Sequence, residues 1–468
     1  MGGSEADANA EAQPKPEAES GQRRPLVYRD FNLRLSAPDP AGGELRVWVE
    51  GETPGGRMSP DDAARPGFQP GLFWDDPANF SGGLMRRLER PGGLDEAALY
   101  RLSGLLADLA LPPGPVRDLF NRSLAALASR PGEGLRLRLQ TGSPTLAQLP
   151  WEFLGLPQAG GEPKPSDFFA LRREVSVVRT DTVEAAPLAL PQRSQALIAG
   201  LLAAPFDQPE LDVSKDREAI EAAAEGLNRA AGGSLVRTRW GERPADSGAL
   251  QRLLAEGADI FHLAAHAIFD PLISQGQIIL EKDADTSELY SGEQLAVLLR
   301  GSGARLAVLG ACEGGRRDGK NVWGGIAPAL FREGIPAVIG SQFRIADSAA
   351  ILLAAQLYRR VLSGFSVDEA LYEARESIFN AGELKQRYWA APVLYLQHPD
   401  GVLFPKASEA GGEAGAFIEV MNELERVEGK AIGAEIESLT NGRVKVSNFV
   451  KVVAADATFI GARIGKIG

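Results

Sequence analysis

Arg305-Leu-Ala-Val-Leu-Gly-Ala-Cys312-Glu-Gly-Gly315 is an apolar run with a β-branched centre that stops at Cys312, before two glycines. This pattern predicts a buried parallel strand whose last residue reaches the rim of a sheet. Cys312 is the only cysteine among 468 residues, so it is either a small buried hydrophobic residue or a nucleophile. Open α/β sheets place their sites at the carboxyl ends of strands, which favours the nucleophile.

The composition excludes several classes of protein. The formal net charge is −12, which disfavours a general binder of nucleic acid or of anionic membranes. No apolar run approaches the ~20 residues of a membrane-spanning helix, so we expect no membrane partner. One cysteine without a disulfide framework fits a reducing compartment, and we expect a cytoplasmic protein.

Composition and patterning divide the chain into five parts. Residues 1–26 are rich in Ala, Glu and Pro and predict a disordered tail. Residues 27–190 begin with two alternating segments around a turn, continue with helical patterns, and predict a companion α/β unit. Residues 191–405 form the main α/β unit, residues 406–415 have the composition of a linker, and residues 416–468 form a small tail module.

Strand and helix patterns alternate through the main unit. Strands are predicted at 196–202, 235–240, 259–266, 306–312, 336–341 and 391–397, with helices at 213–231, 246–256, 292–300, 325–332, 347–363 and 366–381. This alternation predicts a mostly parallel sheet with helices on both faces.

The tail module repeats itself weakly. Ile432-Gly-Ala-Glu-Ile436 returns as Ile460-Gly-Ala-Arg-Ile464, a period of 28 residues, and residues 443–453 are strand-like. Residues 416–427 fit one short amphipathic helix. The module is either an extra β-layer or a docking module, because two copies are few for a stable solenoid.

A nucleophilic cysteine needs a group that takes its proton, and the chain has only three histidines. His262 falls mid-strand among apolar residues, so we expect a buried structural histidine. His266 ends the same strand, at the rim level of Cys312. If these two strands are neighbours, a base lies beside a nucleophile. No zinc-ligand spacing exists, and we expect neither metal nor organic cofactor.

His398 is a rival base. Gly310-Ala-Cys312-Glu-Gly314 fits a nucleophile elbow, and Asp400 could orient the His398 imidazole. This arrangement resembles class I glutamine amidotransferases, which would make the chain a small-molecule amidase. Pro399-Asp-Gly401 is also a plain turn signal.

Several motifs together carry a second resemblance. Three segments resemble the CHAT-domain peptidases, which are bacterial relatives of caspases and separases. They are Asp259-Ile-Phe-His-Leu-Ala-Ala-His266, Leu306-Ala-Val-Leu-Gly-Ala-Cys312-Glu and the segment from Gly334 to Asp347. Leu149-Pro-Trp-Glu-Phe-Leu154 is similar to an upstream Pro-Trp-Glu segment of that family. The likeness covers roughly residues 30–405.

The resemblance implies a Cys312–His266 dyad, with an oxyanion hole made by the backbone N–H groups of Cys312 and Ala267. The chain departs from the family at two points. Ala265-His266-Ala267 stands where Gly-His-Gly is usual, and Gln342-Phe343 stands for Leu-Trp. The methyl group of Ala267 would crowd the hole if the backbone needed a positive φ.

The resemblance also suggests how a peptide would be bound. An extended substrate could pair with the backbone of Ser341, Gln342 and Phe343. Asp347 matches the acidic floor of the S1 pocket in separases and would select Lys or Arg. Alternatively, Asp347 caps the helix that follows. Arg316 and Arg317 are either a self-processing site or a solvated loop.

We therefore predict a caspase-like α/β sheet sandwiched by helices, with a companion unit before it and a small β-rich module after it. The expected function is a cysteine endopeptidase that cleaves a protein substrate, with a protein partner or sensor bound through residues 416–468. A catalytically silent scaffold of the same fold and the amidase remain as alternatives.

Overall fold

The computed structural model describes most of residues 25–405 and the strands of the tail. The described residues are 25–36, 45–74, 83–89, 93–142, 144–157, 162–180, 190, 195–208, 211, 213–270, 275–283, 286–310, 323–343, 345, 347–382, 387–405, 417–427, 430–432, 435–436, 443–453, 458–460 and 463–464.

Strands and helices alternate as the sequence predicts. Between residues 25 and 405 the strands are β1 Val27–Ser36, β2 Arg46–Glu50, β3 Glu52–Thr53, β4 Gly56–Arg57, β5 Glu133–Thr141, β6 Val175–Thr180, β7 Ala196–Leu202, β8 Val236–Trp240, β9 Ile260–Ala264, β10 His266–Asp270, β11 Gln275–Glu281, β12 Ser287–Ser291, β13 Leu306–Leu309, β14 Ala337–Ser341 and β15 Pro392–Leu396. The helices are α1 Gly71–Trp74, α2 Leu84–Glu89, α3 Glu96–Ala110, α4 Pro115–Ala128, α5 Pro144–Ala147, α6 Val213–Ala231, α7 Ser247–Ala255, α8 Gly292–Ser302, α9 Trp323–Arg332, α10 Asp347–Val361 and α11 Val367–Ala381.

One ten-stranded sheet runs through both α/β units in the order β2-β1-β5-β6-β15-β14-β13-β9-β7-β8. Only the β1–β2 and β14–β15 pairs are antiparallel. The sheet is therefore mostly parallel, and the predicted α/β class is confirmed. The strands of the companion unit continue into those of the main unit, since β6 pairs with β15 at Arg179 and Tyr395.

Alternating side chains on the central strands face two different cores. Phe261 and Leu263 of β9 pack with α7, α8 and α9, whereas Ile260 packs with α6, α10 and α11 on the other face. A third core lies in the companion unit, between its strands and α3 and α4. Because each strand has apolar residues on both faces, its sequence reads as a continuous apolar run.

The chain between His266 and Ser291 departs from the prediction. The third predicted strand ends at Ala264, and β10 starts a separate antiparallel ribbon with β11 and β12. The prediction of one strand through His266 was therefore wrong at its last two residues, and the ribbon was not predicted.

The tail is built from strands. They are β16 Phe417–Val427, β17 Lys430–Ile432, β18 Glu435–Ile436, β19 Arg443–Val453, β20 Thr458–Ile460 and β21 Arg463–Ile464. The helix predicted over 416–427 was wrong, because β16 pairs in parallel with β19 along nearly its whole length. Among the described residues, no helix is long and apolar enough to cross a membrane.

Candidate active site

The strands that lead to His266 and Cys312 are hydrogen-bonded neighbours. β9 and β13 run parallel, and the last paired residues are Leu263 and Leu309. The N–H of Gly310 extends the ladder with a 2.6 Å hydrogen bond to the carbonyl oxygen of Leu263. His266 follows Leu263 by three residues, and Cys312 follows Leu309 by three. The two sequence positions are therefore equally far along the chain from the last pair of this ladder.

Gly310 is needed for this close approach. A β-carbon there would lie 2.8 Å from the carbonyl oxygen of Leu263. Contacts that short are not tolerated against backbone, so a larger residue would push β13 away from β9 just before the predicted nucleophile.

His266 is fully buried at the first position of β10 and lies opposite Ile279 of β11. The next residue, Ala267, is also buried and lies within the strand. Strand backbone is extended, with φ well away from the left-handed region. A methyl group at position 267 is therefore compatible with this backbone, although the family that the sequence resembles usually has glycine there.

Other predicted site residues lie outside the described part of the chain. These are Cys312, Arg316, Arg317 and the side chain of Asp347. Asp347 itself is the first residue of α10. Its role in an S1 pocket stays a prediction.

The histidine of β9, His262, is buried and bonded to a helix, as expected for a structural residue. His262 is 3% exposed, and its Nδ1 lies 2.7 Å from the hydroxyl of Tyr358 on α10. Burial lowers the pKa of His262 from 6.5 to about 4, so this ring is neutral at pH 7. A neutral ring bound to α10 fixes the helix against β9.

His398 lies at the wrong end of the sheet to assist Cys312. Its Nδ1 is 2.8 Å from Asp400 Oδ1, so the predicted orientation by Asp400 is present. However, β15 is antiparallel to β14, and the N–H of His398 donates to the carbonyl oxygen of Pro336, which precedes β14.

The register gives the separation. Leu396, Ala337 and Leu306 lie side by side on β15, β14 and β13. His398 is two residues past Leu396 in one direction, whereas Gly310 is four residues past Leu306 in the other, so roughly 20 Å separates them along the strands. Two more residues reach about 7 Å at most. The amidase alternative based on His398 was therefore wrong.

The segment at the end of β14 contains Ser341, Gln342 and Phe343. Their side chains already contact other parts of the protein. The Ser341 hydroxyl donates to the carbonyl oxygen of Phe343 at 2.7 Å. The Phe343 ring stacks on Phe153 with centroids 6.1 Å apart, and the Arg387 guanidinium lies 5.6 Å from its centroid. Part of the backbone is also bonded, because the N–H of Gln342 donates to the carbonyl oxygen of Ala391 at 3.0 Å.

A buried polar network holds the same segment, and sequence reasoning missed it. Glu152 is fully buried and accepts from Arg179 Nη2 at 2.6 Å and from Gln342 Nε2 at 2.7 Å. Gln342 Nε2 also donates to the carbonyl oxygen of Ala390 at 2.7 Å, and Arg179 Nη2 donates to Gln342 Oε1 at 2.9 Å.

The neighbours of Arg179 keep its guanidinium charged. Burial pushes the pKa of Arg179 down, but the carboxylate of Glu152 and the hydroxyl of Tyr395 raise it by more, so it ends above its ordinary value. The available signal in the sequence was Glu152 itself, since a carboxylate between Trp151 and Phe153 needs a buried partner. The Gln342 side chain therefore serves the fold, and the Pro-Trp-Glu segment supports the end of β14.

A cavity of about 20 Å³ lies under the strand ends, lined by His262, Gly310, Ser341, Ile345 and Leu353 among others. It has room for about one water molecule. A Lys or Arg side chain does not fit, so this cavity is not the predicted S1 pocket.

Comparison with known proteins identifies the family. A model of the CHAT domain matches residues 105–397, which is well over half of the chain. The chain therefore belongs to the CHAT domain family. No curated protein matches the chain.

Solved structures with a similar chain trace include three peptidases. The separase of the Saccharomyces cerevisiae separase–securin complex matches at 14% identity and a TM-score of 0.33, over 66% of this chain and 20% of its own. The Arg-specific cysteine proteinase gingipain R matches at 9% identity and 0.34, over 64% and 71%. The Drosophila initiator caspase Dronc matches at 7% and 0.28, over 48% and 90%. This chain thus spans about a fifth of that separase, and none of these similarities bears on its activity.

Proposed function

We propose that this chain is a cytoplasmic cysteine endopeptidase that cleaves a protein substrate with Cys312 as nucleophile and His266 as its base. The observation that carries the proposal is the register of β9 and β13, which ends with the Leu263–Leu309 pair, three residues before each catalytic position. Adjacent parallel strands that end together favour a base beside a nucleophile.

The proposed reaction follows acyl transfer. The Cys312 thiol gives its proton to His266, and the thiolate attacks the scissile carbonyl carbon. The backbone N–H groups of Cys312 and Ala267 stabilise the oxyanion that forms. His266 then protonates the leaving amine. A water molecule, deprotonated by His266, hydrolyses the thioester and frees the enzyme.

Substrate binding is proposed at two places. An extended peptide pairs with the backbone of residues 341–343, apart from the Gln342 N–H that already donates to Ala391. The side chains of Gln342 and Phe343 are held by Glu152 and Phe153. Asp347 would form the floor of the S1 pocket and select Lys or Arg at P1. With that preference, Arg316-Arg317 becomes a self-processing site.

Covalent labelling tests the proposal, because the chain has a single cysteine. A peptidyl acyloxymethyl ketone should add one label at Cys312, and His266→Ala should slow labelling by about 10²-fold or more. His398→Ala is the matched control and should label at the wild-type rate. An unreactive thiol in wild type would contradict the peptidase and favour the scaffold of the same fold.

We also propose that the tail, residues 416–468, binds a protein partner that controls the peptidase. Its strands pair only with one another among the described residues, which supports a separate module. Deleting 406–468 should leave cleavage of short peptides within about twofold of wild type while partner binding is lost. If peptide cleavage collapses, the tail belongs to the catalytic fold.

A further inference from the structure

The described strands of the tail form two sets of three consecutive strands, each set here called a coil. β16, β17 and β18 form the first coil, and β19, β20 and β21 form the second. Each strand of the first coil pairs in parallel with its counterpart in the second. In the two shorter ladders, Ile432 lies opposite Ile460 and Ile436 opposite Ile464. This offset of 28 residues is the period that the sequence repeats, whereas the long β16–β19 ladder has an offset of 26 residues, with Phe417 opposite Arg443. The sequence repeat therefore corresponds to strands that stack on their counterparts.

Each coil keeps one unpaired edge. Among the described strands, all six tail strands form two-stranded ladders, so each is paired on one side only. The other side carries backbone donors and acceptors that can pair with a further strand. Stacked coils usually need three or more units for stability, and the tail supplies two.

The two coils carry opposite charge. Residues 417–436 contain five glutamates against one arginine and one lysine, a net charge of −3. Residues 443–464 contain two arginines and two lysines against one aspartate, a net charge of +3. An acidic coil therefore lies on a basic coil.

Acidic positions of the first coil pair with basic positions of the second coil. Glu419 lies opposite Lys445, and Glu435 lies opposite Arg463. Asn422 lies opposite Asn448, a pairing of identical amides that favours in-register stacking. Neighbouring strands are about 4.8 Å apart, so opposite charges at partner positions stabilise the pairing and like charges oppose it.

We propose that the free edge of the acidic coil binds the free edge of the basic coil of a second copy of this chain. The contact repeats the pairing that the two coils already make within one chain, with the same register and the same charge complementarity. An acidic edge against an acidic edge would lack that complementarity. The contact is head-to-tail and leaves one edge free at each end, so copies add in an open series.

This inference names the partner of the tail, and it deepens the partner proposal above. It does not depend on the peptidase reaction, since assembly can be measured on a Cys312→Ala chain. Stacked tails would raise the local concentration of the attached α/β units. The failure of one proposal would therefore leave the other standing.

The test measures the mass of the full-length chain against its concentration, by sedimentation. The wild-type mass should rise without a plateau at the dimer. The variant Glu419→Lys/Glu435→Lys makes both coils basic and should stay monomeric at concentrations where wild type assembles. Glu218→Lys/Glu225→Lys on the exposed face of α6 changes the net charge equally and should assemble as wild type does.

A charge swap shows that the contact lies between chains. The variant Glu419→Lys/Glu435→Lys/Lys445→Glu/Arg463→Glu keeps opposite charges in register within each copy and between swapped copies. It should assemble with itself as wild type does, but bind wild type about tenfold more weakly or less still, in a two-colour mixture. Two sedimentation results would overturn the proposal: a wild-type chain that stays monomeric up to about 100 μM, far above a micromolar Kd, or a mass that stops at a dimer. Two results with the charge-swapped variant would also overturn it: failure of the variant to assemble with itself, or binding to wild type as strong as wild type's own self-association.

Discussion

Replacing Glu152 by alanine should destabilise the protein strongly, although Glu152 is not a catalytic residue. The carboxylate is fully buried and accepts two hydrogen bonds from Arg179, from Nε at 3.1 Å and from Nη2 at 2.6 Å. Its second oxygen also accepts from Gln342. The substitution leaves the Arg179 guanidinium, only 4% exposed, without its counter-charge.

The loss of unfolding free energy can be estimated from the buried Arg179 charge that loses its partner. Removing one partner of a buried ion pair costs about 3–5 kcal/mol, several times the value of an exposed pair. With a urea m-value of about 3 kcal/mol/M, the unfolding midpoint should fall by roughly 1 to 1.7 M. Because a domain has a total stability of about 5–15 kcal/mol, this loss is a large part of it.

Urea unfolding followed by circular dichroism measures the effect. The double variant Glu152→Leu/Arg179→Met removes both charges and should recover most of the loss, because apolar residues of similar size often replace buried pairs without penalty. The exposed pair Arg252–Glu242 is the matched control, and Glu242→Ala should cost less than about 1 kcal/mol. The reasoning is refuted if Glu152→Ala costs as little as Glu242→Ala, or if the double variant is less stable than the single one.

Three further predictions concern buried polar groups and the rival base. The folded-state pKa of His262, about 4, lies below its ordinary 6.5. The stability it contributes is therefore complete above pH 6.5 and is lost as the pH falls towards 4, by up to about 3 kcal/mol. His262→Gln should reduce the stability difference between pH 7 and pH 4.5 by that amount in urea unfolding, and an unchanged difference would contradict the buried neutral ring. Asp368 is fully buried against Arg136, with hydrogen bonds of 2.8 and 2.9 Å. Asp368→Ala should lower the unfolding free energy by about 3 kcal/mol, the lower end of the range for a broken buried pair, because Asp30 Oδ1 still lies 3.3 Å from Arg136 Nη1. A loss under about 1 kcal/mol would show that Asp30 alone compensates the Arg136 charge. His398→Ala should keep kcat/KM for peptide cleavage within about twofold of wild type, since an interaction with no part in the transition state does not change it. A loss of about 10²-fold would mean that His398 acts as a base.

The parallel sheet and its helices could be predicted because their sequences are locally consistent. The runs at β7, β9, β13 and β14 are short and apolar on both faces, and helical patterns separate them. The pairing of β9 with β13 was only a condition in the prediction, since no local pattern specifies which strands are neighbours. The structure supplies that pairing.

The end of β9 was harder to predict. His266 follows apolar residues without a turn signal, so the pattern indicates one strand from 259 to 266. In the structure, Ala265 separates β9 from β10, and β10 turns into its own ribbon with β11. That change of partner is a tertiary effect, which a period-two pattern does not record.

The tail shows tertiary pairing overriding a local pattern. Five apolar residues follow a helical period, yet they lie on strand β16. They are Phe417, Val420, Met421, Leu424 and Val427. The partner strand β19 is rich in β-branched residues and pairs with it along its length. The 28-residue repeat was visible in the sequence, but its meaning as a stack of two coils required the register.

The Glu152–Arg179–Gln342 network could not be derived from motifs. Its three members are far apart in the sequence, and for Gln342 the prediction concerned only its backbone, as part of the Ser341–Phe343 segment that an extended substrate could pair with. The structure shows its side chain buried, 8% exposed, and bound to Glu152. Hydrogen bonds between distant segments have no signature in one sequence. The one signal was Glu152, a carboxylate between two large apolar residues, which indicates a buried partner.

The most direct test of the peptidase is cleavage of a mixed peptide library, read by mass spectrometry, with wild type, Cys312→Ala and His266→Ala. We expect wild type to cut peptides after Lys or Arg. In each variant the rate of these cuts should fall by at least about 10³-fold, as expected for members of a nucleophile–base pair. Cuts that persist in Cys312→Ala, or that are unaffected in His266→Ala, would contradict the dyad that the register of β9 and β13 supports.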